Sequence, residues 1–258
     1  MTAFVVVVCV ILGLAVGSFL NVVIWRVPRH ESIVAPPSHC PGCDEPISPR
    51  DNVPVFSWLF LRGHCRNCGE PIPVRYPMVE VGCAVLWGVI GYTFADSWAL
   101  PAYLVLGAAL IALSVIDLEH YLLPNRIVYP LAGAGLVLLG VAAFAEGAGD
   151  DFVRAVLGGL AAFAALLLLH LVSPRGMGFG DVKLAFVLGL YLGWLGWGEV
   201  LLGLFLGFFL GALIGVALIA THLRSRKDHV PFGPFLAAGT LIAIIWGPAI
   251  LGWYTQSR

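Results

Sequence analysis

Residues 200–221 have the sequence VLLGLFLGFFLGALIGVALIAT, in which no side chain carries a charge. Since about 20 apolar residues in a helix span the hydrocarbon core of a bilayer, this stretch alone is long enough to cross a membrane. The rest of the chain has the same character. Of its 258 residues, 60% are hydrophobic and 11% are charged, whereas soluble domains contain roughly 25% charged residues. The composition therefore predicts a protein embedded in membrane lipid and gives no indication of a nucleic-acid partner.

Similar apolar runs recur along the chain and predict eight transmembrane helices. Helices are expected because a lipid-facing segment must satisfy its own backbone hydrogen bonds. The first run is expected to be retained, since no basic segment precedes it and no small-residue cleavage site follows it. The predicted spans are approximately residues 3–24, 76–95, 100–116, 127–145, 152–172, 182–197, 199–222 and 234–254.

The lysines and arginines predict the orientation of these helices. If the N-terminus lies outside, all but Arg154 and Arg258 of the 14 cationic residues fall on one side of the membrane. The positive-inside rule assigns that side to the cytoplasm. The long polar segment, residues 25–75, falls on the same side. We therefore expect a multi-pass protein whose active face is cytoplasmic.

Four cysteines in the polar segment form two pairs with metal-ligand spacing, CPGC (40–43) and CRNC (65–68). Four thiolates arranged in this way suit tetrahedral zinc and leave no position open for water, so the metal is expected to be structural. Disulfides or free thiols are the alternative, and a reducing cytoplasm disfavours disulfides. The fold predicted is an all-α polytopic membrane protein of about eight transmembrane helices, with a small cytoplasmic zinc-binding module between the first and second helices. The predicted zinc ligands are Cys40, Cys43, Cys65 and Cys68.

Two aspartates stand at the ends of predicted spans. Asp117 closes the third span in SVID (114–117), and Asp181 opens the sixth after GFG (178–180). Ionisable residues at membrane depth usually indicate function. Two carboxylates that meet there share a proton more readily than they ionise together, which is how aspartic proteases activate water. For either aspartate alone, an interfacial charge or a helix cap is the alternative.

Three neighbours of Asp181 are candidates for positioning the substrate or its backbone. Gly178 and Gly180 permit unusual backbone angles and a close approach of an extended peptide. Lys183 could orient the substrate or influence the aspartate pair, and it could equally extend its ammonium group towards the aqueous interface.

Taken together, these motifs resemble the prepilin peptidases, or type IV leader peptidases, which belong to the GxGD class of intramembrane aspartic proteases. The resemblance extends over almost the whole chain. Besides the tetracysteine segment, SVID and GFGD, it rests on GSFLNVVIWRVP (17–28), RYPMVE (75–80) and PFGPF (231–235).

The resemblance implies an enzyme of the bacterial inner membrane that cleaves the short basic leader of type IV prepilins and pseudopilins. It also implies N-methylation of the new N-terminal residue from S-adenosylmethionine. Asp117 and Asp181 would be the catalytic pair. Residues 1–24 would form the first transmembrane helix, residues 25–75 the cysteine module linked to methyl transfer, and residues 76–258 the peptidase bundle.

The methyl-transfer site is less defined by the sequence. Asn21, Arg26 and Glu80 are candidates for contacting S-adenosylmethionine near the membrane face, although Arg26 could instead extend to the interface and Glu80 could pair with Arg75. Two other functions stay open at this point. The chain could be a peptidase without effective methylation, or a transporter or assembly factor whose aspartates relay protons.

Overall fold

The computed structural model describes residues 1–174, 177–221 and 230–256. Within these ranges the secondary structure consists of α-helices and one short 3₁₀ turn, Pro49–Asp51, which confirms the predicted all-α class. The helices are α1 (Thr2–Arg26), α2 (Phe56–Phe60), α3 (Arg75–Thr93), α4 (Leu100–His120), α5 (Asn125–Glu146), α6 (Gly149–Val172), α7 (Phe179–Leu195), α8 (Trp197–Ala220) and α9 (Gly233–Gln256).

Six of the described helices are long and apolar enough to cross a membrane, namely α1, α4, α5, α6, α8 and α9. This supports a multi-pass membrane protein. The predicted spans 76–95 and 182–197 correspond to α3, with 19 residues, and α7, with 17. At 1.5 Å per residue, α7 is about 26 Å long, slightly less than a typical hydrocarbon core of about 30 Å. The count of eight spans therefore stays a prediction.

Part of the orientation argument rests on residues outside the described ranges. These are Arg175, Arg224, Arg226, Lys227 and Arg258. His222, the last residue of the seventh predicted span, also lies outside them.

The chain divides into two compact units, Met1–Asp96 and Ser97–Arg258. In the first unit, α1 packs along α3 through small residues. A Cβ atom on Gly13 would lie 2.8 Å from Cα of Ala84, and one on Gly17 would lie 2.6 Å from Cα of Glu80. Only glycine allows this approach of the two backbones. Since α3 completes this unit, the unit extends beyond residue 75, where the sequence placed the end of the cysteine module.

The second unit is built around α7, which contacts α5, α6, α8 and α9. Twelve of its 17 residues are buried, as expected for a helix that is apolar on all sides and surrounded by protein. Helix α9 contacts α4 and α7 as well as α8. The helices that carry Asp117 and Asp181, α4 and α7, therefore share α9 as a neighbour.

Close contact between α6 and α7 depends on Gly189. A Cβ atom at this position would lie 2.6 Å from Cβ of Ala162 and would overlap the carbonyl oxygen of Gly158. We predict that Gly189→Ala destabilises the protein by roughly 1–3 kcal/mol, the range found for overpacked cores. The matched control is Gly215→Ala on α8, where nothing lies within 4 Å of the added Cβ. Thermal unfolding in detergent should show a lower midpoint for the first variant alone, and equal midpoints would contradict the packing described.

Candidate functional site

Asp117 lies near the C-terminal end of α4 and is 5% exposed. The backbone N–H of Gly233, the first residue of α9, donates a hydrogen bond to its Oδ2 atom at 3.0 Å. Helix α4 ends at His120, and the following residue, Tyr121, adopts a left-handed conformation with φ 53°. The side chain is therefore held at the point where the chain leaves the helix.

Asp181 lies in the first turn of α7 and is 8% exposed. The N–H of Asp181 donates to the carbonyl of Gly178 at 3.1 Å, at the start of the helix. The N-terminal end of a helix also favours a negative group. Its Oδ1 atom is buried and has no hydrogen-bond partner within the described residues. Within the described part of the chain, Oδ1 is thus available to a further hydrogen-bond donor.

Leu123 connects the surroundings of the two aspartates. A Cβ atom on Gly180, next to Asp181, would lie 3.2 Å from Cβ of Leu123, and one on Gly233 would lie 3.1 Å from its Cδ2. The structure therefore brings Asp117 and Asp181 together at one end of the second unit.

The glycines before Asp181 provide space for neighbouring atoms. Gly178 has φ −70°, and Gly180 lies within α7, so both have backbone angles that any residue can adopt. A Cβ atom on Gly178 would instead lie 3.3 Å from Oδ2 of Asp181. The backbone freedom of glycine is thus not used at these two positions, and the close approach of an extended peptide stays a prediction.

Two side chains fix the ends of the segment that contains these glycines. His170 donates from Nδ1 to the carbonyl of Met177 at 2.8 Å, and its ring contacts that of Phe179. Lys183 donates to Oδ1 of Asn125 at 2.7 Å, and its ammonium group lies 5.2 Å from the centroid of Phe179. Lys183 thus connects the start of α7 to the start of α5.

Gly233 and Leu123 are site residues that reasoning from the sequence did not single out. Gly233 lies in the motif PFGP (231–234), which was noted for its resemblance to a family and was given no role. Leu123 directly precedes Pro124. Neither position has a chemically reactive side chain, so only the motif itself could have indicated Gly233.

The four predicted metal ligands form a cluster in the first unit. Their Sγ atoms all lie within 4.8 Å of one another, and those of Cys40 and Cys68 are 3.7 Å apart. With Zn–S bonds of 2.3 Å, the edges of a tetrahedral site are about 3.8 Å long. The thiols are free, so the cluster is not a pair of disulfides. This donor set fits a metal ion such as zinc.

A nine-residue repeat builds the cluster. HCPGCDEPI (39–47) and HCRNCGEPI (64–72) are offset by 25 positions. In each copy the N–H of the first cysteine donates to the carbonyl of the glutamate, at 3.0 Å to Glu45 and 2.8 Å to Glu70. The residue after the second cysteine has positive φ, 55° at Asp44 and 74° at Gly69. The repeat was visible in the sequence, but only its cysteines were recognised.

The thiols differ in acidity. Hydrogen bonds from the backbone N–H groups of Cys68 and Asn67 lower the pKa of Cys65 to about 7. For Cys68, a backbone hydrogen bond at Glu70 lowers the pKa, but burial and the neighbouring sulfurs raise it to about 12. Sulfurs packed this closely do not all ionise without a compensating cation, and a divalent metal ion provides one.

A cavity of about 390 Å³ lies in the first unit, lined by residues of α1, α2, α3 and both cysteine repeats. Two of the three residues proposed to contact a methyl donor, Asn21 and Glu80, line it. Arg26 is not among the lining residues. Its guanidinium donates to the carbonyls of Ser32 at 2.9 Å and Pro36 at 2.8 Å, and so fixes the chain that follows α1.

Asn21 presents an unpaired acceptor in the wall of this cavity. Its residue is 3% exposed, and its Nδ2 donates to the carbonyls of Tyr76 at 3.1 Å and Gly17 at 3.4 Å. The Oδ1 atom is buried without a hydrogen-bond partner in the described chain. Because buried acceptors are nearly always paired, this atom suits a ligand that offers an N–H or O–H group.

Glu80 is 8% exposed and is held by the polypeptide around the cavity. Its Oε2 atom accepts the N–H of Val55 at 2.6 Å, and the Ser18 hydroxyl also hydrogen-bonds to its carboxylate. Val55 and Ser18 are therefore hydrogen-bond partners of Glu80, whereas the sequence had suggested Arg75.

Comparison with known proteins covers both units. Residues 11–94 match the model of the Bacterial Peptidase A24 N-terminal domain, and residues 104–216 match that of the Type IV leader peptidase family. A protein of Aeromonas hydrophila called prepilin leader peptidase/N-methyltransferase is 37% identical, over 94% of this chain and 91% of its own. A protein of the same name from Bacillus subtilis is 32% identical, over 95% of this chain and 96% of its own.

The chain belongs to the type IV leader peptidase family. It is therefore an enzyme, as the sequence motifs predicted. No solved structure matches it. Asp117 and Asp181 fall in the range matched by the leader peptidase model, whereas the cysteine cluster and the cavity fall in the range matched by the N-terminal model. Gly233 lies beyond both ranges.

Gly233 offers a direct test of the surroundings of Asp117. A Cβ atom at this position would lie 2.8 Å from Oδ2 of Asp117, so the carboxylate would have to move. If Asp117 takes part in the reaction, we predict that Gly233→Ala lowers the rate of type IV leader peptide cleavage by roughly 10- to 100-fold, the loss expected when a reacting group is displaced. Gly133→Ala on α5, with nothing within 4 Å of its added Cβ, should retain the wild-type rate. Equal rates for the two variants would show that cleavage does not depend on the position of Asp117 beside Gly233.

Proposed function

We propose that this enzyme is a membrane aspartic endopeptidase with Asp117 and Asp181 as its catalytic pair. It removes the basic leader from type IV prepilins and pseudopilins at the cytoplasmic side of the bacterial inner membrane. The observation that carries this proposal is the meeting of two buried carboxylates at one end of the second unit, around Leu123. The names of the relatives support the choice of substrate.

The pair would divide acid and base roles through one shared proton. The ionised carboxylate takes a proton from water, and the water oxygen bonds to the carbonyl carbon of the scissile peptide. The protonated carboxyl donates its proton to the carbonyl oxygen. Transfer of a proton to the leaving nitrogen then accompanies breakage of the C–N bond. The N–H of Gly233 orients Asp117 for these steps, and Oδ1 of Asp181 is the oxygen left for the reactants.

Replacement of either catalytic carboxyl by an amide removes its proton-transfer capacity with little change in size. We predict that Asp117→Asn and Asp181→Asn each slow prepilin cleavage by roughly 10²- to 10⁴-fold, the range of general acid–base contributions. Asp150→Asn, at an exposed position in the first turn of α6, is the matched control and should cleave normally. Cleavage can be followed by mass spectrometry of the processed pilin. A near-normal rate for either catalytic variant would favour a proton relay instead.

We propose that the first unit transfers a methyl group to the new N-terminal amine, as the relatives' name suggests. The cavity fits S-adenosylmethionine in character: it combines the unpaired acceptor of Asn21 with the carboxylate of Glu80 and the aromatic rings of Trp58 and Tyr76. Asn21, Trp58 and Tyr76 would hold the cofactor, which supplies an activated methyl group when bound. Both cysteine repeats contribute residues to the wall of the cavity.

The metal would be zinc with a structural role, because the four cysteines complete its coordination. Cys40 and Cys65 also belong to the wall of the cavity. Zinc would therefore hold two parts of that wall in place, since a small module with few apolar side chains gains much of its stability from the metal.

Loss of zinc should affect methylation more than cleavage, because the aspartates belong to the other unit. We predict that wild-type protein binds about one zinc ion per chain, and that Cys68→Ser lowers both its zinc content and the methylation of the cleaved pilin. Cys9→Ala, a change at a buried cysteine of α1 outside the cluster, is the control. Elemental analysis and mass spectrometry of the pilin N-terminus provide the measurements. Wild-type protein without metal would contradict the zinc assignment, and an unmethylated pilin from wild-type enzyme would indicate a peptidase alone.

We also propose that α3 and α7 cross the membrane together with the six longer helices, that membrane lipid surrounds the protein, and that the N-terminus lies outside. This arrangement has its support in the distribution of lysine and arginine.

A further inference from the structure

Val55 has a backbone conformation that is unfavourable for its residue type. Its φ and ψ angles are 63° and −51°. The N–H of Phe56 donates to the carbonyl of Pro54 at 2.6 Å, which closes a three-residue γ-turn around Val55. This form of the γ-turn is rare and strained, and positive φ is a marked outlier for a β-branched side chain. Such a turn persists only where surrounding contacts impose it, and strained residues of this kind concentrate at functional sites.

Glu80 provides one of the contacts that hold this turn, beside the hydrogen bonds between Val53 and Ser57. Its Oε2 atom accepts the N–H of Val55 at 2.6 Å. A hydrogen bond to an ionised acceptor is roughly twice as strong as one between neutral groups. Glu80 is itself fixed on α3, where its Cα packs against Gly17 of α1. The carboxylate of Glu80 thus connects helices α1 and α3 to the loop that contains Val55.

The turn determines where α2 begins, and α2 forms part of the cavity wall. Ser57 and Trp58, both in α2, line the cavity. The indole of Trp58 donates to the carbonyl of Ile72 at 3.0 Å, and the N–H of Ile72 donates to the carbonyl of Gly63 at 2.7 Å. Ile72 closes the second cysteine repeat. A continuous set of contacts therefore runs from Glu80 through the strained turn and α2 to the metal cluster.

We propose that Glu80 is a positioning residue of the methyl-donor cavity. Its carboxylate holds the Pro54, Val55 and Phe56 turn in its strained conformation and so places Ser57 and Trp58 in the cavity wall. This inference rests on the proposed methyl transfer. A Glu80 side chain that contacted the methyl donor directly would act through its charge. A positioning role makes a different prediction: when the carboxylate is lost, relief of the strain at Val55 restores affinity for the methyl donor.

A double-mutant comparison on purified full-length enzyme tests the proposal, with S-adenosylmethionine as the titrated ligand. Glu80→Ala should weaken binding by roughly tenfold or more, the loss expected when a charged hydrogen-bond partner is removed. Val55→Gly should bind within about threefold of wild type, because glycine adopts positive φ without strain. The double variant Glu80→Ala, Val55→Gly should recover most of the lost affinity, and Glu80→Gln, which keeps an acceptor for the Val55 N–H, should retain it.

Amide hydrogen exchange at residues 55–59 provides a second readout that needs no cofactor. Glu80→Ala should accelerate exchange there, whereas Val55→Gly alone should leave it near the wild-type rate. Zinc content and prepilin cleavage should stay normal in every variant, which shows that each is folded.

The outcomes separate the inference from the proposed function. Unchanged binding and exchange in Glu80→Ala would overturn the positioning role. Weak binding by both Glu80→Gln and the double variant would also overturn it, since the charge itself would then contact the ligand. No binding by wild-type enzyme would overturn the assignment of the cavity to the methyl donor, while exchange would still decide whether Glu80 holds the turn.

Discussion

The burial of two carboxylates at one end of a helical unit is the constraint on which the peptidase half of this molecule depends. A carboxylate removed from water is destabilising unless hydrogen bonds or dipoles compensate it. Asp117 receives the N–H of Gly233, and Asp181 lies at the N-terminal end of α7. Both arrangements need backbone close to a carboxylate, so the surrounding positions are glycine. The buried helix α7 and its neighbour α9 hold these backbone groups in place.

The first unit is stabilised in a different way, because its polar segment has few large apolar side chains that could form a core. Two copies of one short repeat bring four thiols together, and α1 and α3 pack closely enough to carry the segment between them. The cavity lies where these parts meet. The two proposed chemistries thus use separate sets of residues in separate units, which is why variants can be expected to affect one activity and spare the other.

The long apolar helices could be predicted from the sequence because they depend on the hydrophobicity of consecutive residues. The predicted span 127–145 lies within α5, and 152–172 lies within α6. The cysteine cluster was also predictable, because metal-ligand spacing is local. The contact between Gly233 and Asp117 joins residues 116 positions apart and left no local signal. The γ-turn at Val55 was equally hidden, since nothing in a β-branched residue predicts positive φ. The division of the chain after α3 likewise depends on packing between α1 and α3.

The most direct test of the central claim is whether the two aspartates act as one unit. Single-turnover prepilin cleavage should be measured for Asp117→Asn, Asp181→Asn and the double variant, with product detected by mass spectrometry. Groups that act together give non-additive losses. We therefore predict that the double variant is no slower than the slower single variant. Losses that multiply would show two independent contributions and would contradict a shared catalytic pair.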